Sequence, residues 1–416
     1  MRHWKPVTLI LAAAFALAAC SAQPGASSSP TSTAAMGSQA MSPGASAATA
    51  LVVDSKAADL RVRLDYLLGE HIIMATKATG AALGGRNDEY TAYAAQLNAN
   101  GTDLGAMIGA AFGTAAQDKW NAIWSAHNGF FVDYTVGLAT KDRAKQDKAV
   151  KDLTTIYVPQ FSSFIAGATG LPQSAVADLT TQHVLQTKQV VDDQAKGDWT
   201  AAYADIRKAY AHMQMIGDAI APAIAAKMPD KFPGDPSNKG VGFRVALNQL
   251  LQEHLYLATF ATDAALGGRS AEFAAAGKVL NDNGTEIGAA LGSLYGNQAR
   301  DQFNQIWSAH NGFFVDYTTG VAKKDAAMQA KAVQDLTTVY IPAFSKFIAG
   351  ATGLPMDAVA GLTKDHVLTT KAVVDAQGAK DFKAAAEKDV AAGRHMQMIG
   401  DALAKAIVAK LPEKFS

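Results

Sequence analysis

The chain has 416 residues with 37 basic and 37 acidic side chains, so its formal net charge is zero at neutral pH, and no basic block breaks the balance. That excludes nucleic acid as an expected partner. A single cysteine leaves no intramolecular disulfide and no multi-thiolate metal site.

The chain opens with a basic stretch, Arg2 to Lys5, and an apolar run, Val7 to Ala19, that ends Leu17-Ala18-Ala19-Cys20. This pattern predicts a secretory signal over residues 1–20, too short to span a membrane as a mature helix. The LAAC ending resembles the lipobox of bacterial lipoproteins. The resemblance implies that Cys20 is lipidated and that the protein sits in the cell envelope, held to a membrane by that lipid. The alternative is an ordinary signal with an incidental cysteine. Residues 21–52 are mostly Ser, Ala, Gly, Pro and Thr. Such a segment buries too little apolar surface to offset its ordering entropy and predicts a disordered tether.

The remainder is a tandem repeat. IWSAHNGFFVDYT at 123–135 returns unchanged at 306–318, an offset of 183 that needs no gap. AALGGR (81–86), FIAGATGLP (164–172) and HMQMIGDA (212–219) return at the same offset. The breaker-rich stretch 229–242 marks the joint. Two domains are expected, 53–233 and 234–416.

Each copy hides a shorter period. His71, His127 and His183 stand 56 residues apart, and so do His254, His310 and His366. Each has apolar residues four and seven positions before it, which is one stripe of a helix. A break follows each histidine after about 13 residues, and a second helical pattern begins. Each unit therefore predicts an αα-hairpin. The expected fold is all-α: two helical bundles of three hairpins, six helices each. A period of this length also fits an open solenoid. Pro159 and Pro342 fall inside second helices and are expected to kink them.

Counting along antiparallel rods from the turns places Asn100 level with His71, Ile156 level with His127, and His212 level with His183. A closed bundle would then gather His71, His127, His183 and His212 in one layer, and His254, His310, His366 and His395 in the twin layer. A solenoid would leave them roughly 10 Å apart. Buried imidazoles need partners for both nitrogens, and a transition-metal ion, copper or zinc above all, would organise such a cluster. Met215 and Met398 lie three residues after His212 and His395 and are possible soft ligands. Asp133 and Asp316 are candidate acceptors that orient an imidazole, and Tyr134 and Tyr317 are candidate caps of the layer. Non-covalent haem between the imidazoles is a second reading, and inert core histidines in a structural or partner-binding module a third.

Several chemistries lack their residues. There is no Glu-x-x-His, no His-Glu-x-x-His, no Gly-x-Ser-x-Gly, no phosphate loop and no dinucleotide fingerprint, so no catalytic residue is assigned. The AHNGFFVDYT and AHMQMIGDA blocks resemble helical domains of bacterial surface proteins, some of which carry a copper amine oxidase label. Amine oxidases of that kind use an Asn-Tyr-Asp/Glu motif and a His-x-His pair. This chain has neither, so the resemblance transfers no catalytic residue.

Overall fold

A computed structural model describes residues 53–416, and every regular element among them is helical. The expected signal, tether and lipidated Cys20 lie outside the described residues. Among the described residues no helix is long and apolar enough to cross a membrane.

The first half contains α1 (Lys56–Leu83), α2 (Asn87–Phe112), α3 (Thr114–Ala139), α4 (Arg143–Asp152), α5 (Val158–Thr169), α6 (Gln173–Lys196) and α7 (Trp199–Lys227). The second repeats them as α8 (Lys239–Leu266), α9 (Ser270–Tyr295), α10 (Asn297–Lys323), α11 (Ala326–Asp335), α12 (Ile341–Thr352), α13 (Met356–Ala379) and α14 (Phe382–Lys410). Local chemistry sets the ends. Ser55, Asp142 and Asp198 each accept a hydrogen bond from a first-turn backbone N–H, satisfying a donor that has no partner within the helix. Gly85, with φ +69°, closes α1 while the Arg86 N–H donates to the Ala81 carbonyl, a turn that only a residue without Cβ makes freely.

Each half is a closed bundle. The first helices of the three hairpins, α1, α3 and α6, pack on one another, and the second helices fill the spaces between them. The ring closes because α7 returns to α1, which rules out the solenoid. In the rod that carries Pro159, a π-turn, Leu153–Tyr157, joins α4 to α5, and the Val158 N–H reaches back five residues to the Leu153 carbonyl. Pro159 follows in the first turn of α5. A regular α-turn would drive its ring into the carbonyl four residues back, and the wider turn relieves that clash. The second half does the same over Leu336–Tyr340, ahead of Pro342.

The two halves pack about a pseudo-twofold axis: α1 lies on α8, α2 on α14, and α7 on α9. This explains why α1 and α8 are buried almost all round. One stripe of each enters its own bundle, and the opposite stripe meets the other half. Val53 packs into the core of the second half, and its carbonyl accepts a hydrogen bond from Arg244 Nη1 at 2.8 Å.

Candidate metal centre

Helices α1, α3 and α6 each direct one histidine to the axis of the first bundle. His71, His127 and His183 are at most 3% exposed, with ring centroids 5.4, 6.0 and 6.1 Å apart. One ligand nitrogen from each lies within 4.8 Å of the others. His254, His310 and His366 form the twin, with centroids 5.4, 6.2 and 5.6 Å apart. In that triad the Nε2 atoms of His310 and His366 stand 3.4 Å apart. Two nitrogens bound at 2.0–2.1 Å to one tetrahedral ion would be separated by about 3.3 Å. That edge is already at ligand spacing.

Burial is the main influence on these imidazoles. It lowers the pKa of His127 to about 4 and that of His183 to about 3, where the neighbouring imidazoles add to the effect. His71, His254, His310 and His366 are likewise lowered well below the usual range, first by burial and then by their histidine neighbours. All six are therefore neutral at pH 7, with lone pairs free for coordination. His127 Nδ1 is 2.7 Å from the Trp124 carbonyl; as the donor it fixes the tautomer that leaves Nε2 as the ligand atom. His183 Nδ1 and His366 Nδ1 each lie 3.4 Å from the threonine one turn on, Thr187 and Thr370. Four buried ring nitrogens have no partner: His71 Nδ1, His183 Nε2, His254 Nδ1 and His310 Nδ1. Each such orphan costs about 1–3 kcal/mol.

Other expected members of the site are placed elsewhere. His212 is buried at the right depth, but its Nε2 bonds the Leu179 carbonyl at 2.8 Å, and His395 does the same to Leu362 at 2.9 Å. Neither belongs to a triad. Both sit on outer helices and reach only the backbone of the neighbouring inner helix. Asn100 does the same, donating to the Leu67 carbonyl at 2.9 Å. Asn100 and His212 stand two 56-residue units apart, at one position of the hairpin repeat, so His212 is a strap between helices. Met215 and Met398 are 58% and 60% exposed and are not ligands; their neighbours Met213 and Met396 fill the core instead. Asp133 pairs with Lys145 at the surface, and Asp316 is exposed, because six residues along a helix turn a side chain away from the histidine face. Tyr134 and Tyr317 bond Asp192 and Asp375. Two turns beyond the histidine carries them past the layer rather than over it.

Two aromatics complete the surroundings. Trp124 lies 4.6 Å from His71 between ring centroids, and Trp307 lies 4.5 Å from His254. Tyr157 lies 4.5 Å from His127, stacked, and Tyr340 lies 4.5 Å from His310. The tyrosines occupy the place expected for Ile156, which is exposed. Their identity in both copies was the available signal. A cavity of about 40 Å³ adjoins the first triad and one of about 60 Å³ the second. A pocket for a drug-sized ligand measures about 300–1,000 Å³, so these cavities do not admit a haem.

No known protein family, curated protein or solved structure matches this chain.

Proposed function

We propose that each half holds one transition-metal ion on its histidine triad, and that the protein binds, buffers or delivers that ion at the cell envelope, tethered by lipid on Cys20. One observation carries the reading: six buried, neutral imidazoles meet in two triads, each with its ligand nitrogens within 4.8 Å. A metal ion would take one nitrogen from each ring of a triad, where a purely apolar filling would leave buried imidazoles with unpaired nitrogens. Three imidazoles suit copper or zinc. The exposure of Met215 and Met398 removes the sulfur argument for Cu(I), so the donor set alone does not divide the two. The envelope location rests on the resemblance of LAAC to a lipobox.

Elemental analysis of tag-free protein, equilibrated with zinc or copper and desalted, tests the reading. The expected result is about one ion per half, falling to none when His127 and His310 are both replaced by Ala. Wild-type protein that takes up neither metal would make the triads ordinary core.

A further inference from the structure

The same cavity stands beside both triads, built from twinned residues. His71, His127 and His183 line the first with Ala75, Ala78, Leu97 and Phe131. His254, His310 and His366 line the second with Ala258, Ala261, Leu280 and Phe314. All three imidazoles of each triad open onto it, and small alanines leave the space. Indole and phenol rings pack against the histidines from elsewhere: Tyr157 stacks on His127, and Trp124, Trp307 and Tyr340 lie tilted to His71, His254 and His310. Each cluster of metal-competent side chains contains three members, and the fourth histidine is tied to a backbone carbonyl.

Three nitrogens are one short of a tetrahedral set, and a three-histidine site with an open fourth position is the arrangement that binds water or substrate. We infer that the ion on each triad, on the reading proposed above, keeps one coordination position free. That position faces the cavity and takes a compact monodentate ligand of at most two or three heavy atoms, such as hydroxide or azide. The size limit follows from the volume: one water-sized group needs about 10–15 Å³ of such space, so the smaller cavity, about 40 Å³, holds about three. The lining beyond the imidazoles is mainly apolar, so the ligand's polar atom is satisfied by the ion and the rest of it by carbon.

The test uses the full chain loaded with Cu(II) and titrated with azide. The expected result is a ligand-to-metal charge-transfer band that saturates at one azide per ion. Ala75→Leu with Ala258→Leu fills the space, and should leave the copper count unchanged while weakening azide at least tenfold. If that pair lowers helicity or copper content, Ala75→Val with Ala258→Val is the deciding variant, with the same expectation in smaller measure. Copper-loaded wild-type protein with no azide band would overturn the open position while leaving the metal reading intact. Azide binding unaltered in filled, copper-loaded variants would overturn the assignment of the cavity. Failure to take up copper or zinc at all would remove the metal reading and this inference with it.

Discussion

Asp65 shows how much one atom decides in a packed helix pair. It is buried, and neither carboxyl oxygen has a partner. Its twin is Asn248, whose amide Nδ2 donates to the Arg244 carbonyl at 3.0 Å and to Asp401 at 2.8 Å. In the first half Arg61 and Asp218 occupy the same two positions, so Asp65 can reproduce the donation only when protonated. Burial first, and the charge of Asp218 second, raise its pKa well above the ordinary 3.8, with Arg61 opposing. The folded state then holds a proton that the unfolded chain releases above about pH 4. Stability from this site is therefore intact at low pH and falls as pH rises toward the raised folded value. Asp65→Asn supplies the donor without the proton. The variant should be more stable than wild type by about 1–3 kcal/mol at pH 8 and closer to it at pH 5, in urea denaturation at both pH values. An equal difference at the two pH values would contradict the protonation account.

At the scale of helices, the two hidden periods made the architecture legible. Apolar residues four and seven positions before each histidine gave three inward stripes per half, and the breaks gave the hairpins. The depth of the layer followed from counting residues, and His71, His127 and His183 meet as that count implies. Rotation about the bundle axis did not follow. A count along a rod says how deep His212 lies, not whether it faces the axis or the neighbouring backbone. The π-turn at Leu153–Tyr157 was also hidden, because an extra residue in one turn leaves no mark on a period summed over the whole hairpin. The repeated glycines divide in the same way. A Cβ on Gly217 would lie 1.8 Å from Asp65 Oδ1, and one on Gly400 would lie 2.3 Å from Asn248 Oδ1. The HMQMIGDA block is thus kept for the close approach of α7 to α1, and of α14 to α8. Gly129, beside the triad in α3, has nothing within 4 Å of such an atom. Gly217→Ala should destabilise by about 1–3 kcal/mol through overpacking. Gly129→Ala should stabilise by about 0.5–1 kcal/mol through helix propensity. Thermal denaturation of the two variants checks both signs.

At the scale of the whole molecule, the two copies are not interchangeable where they meet. Lys77 of α1 pairs with Asp389 of α14 at 2.6 Å, with side chains 3% and 0% exposed. Its ammonium also donates to Thr259 at 2.9 Å and lies 4.5 Å from the centre of the Phe260 ring. Tyr93 donates to the same Asp389 oxygen at 3.3 Å. The 183-residue offset turns Lys77 into Phe260 and Asp389 into Ile206, so across the pseudo-twofold axis the matching pair is wholly apolar. One half carries the cation and the other the anion, so a half placed against its own copy would bury its charge without a counter-ion, Lys77 facing Ile206 or Asp389 facing Phe260. Removing one partner leaves an uncompensated charge in the interface, which typically costs about 3–5 kcal/mol, whereas replacing both with apolar groups is often neutral or stabilising. Lys77→Met and Asp389→Leu should therefore each destabilise by about that amount, and the double variant should come back to wild-type stability or above it. Urea unfolding of the four proteins completes the cycle. Two harmless single substitutions would mean that water reaches the pair and that apolar packing of α1 on α8 alone holds the halves together.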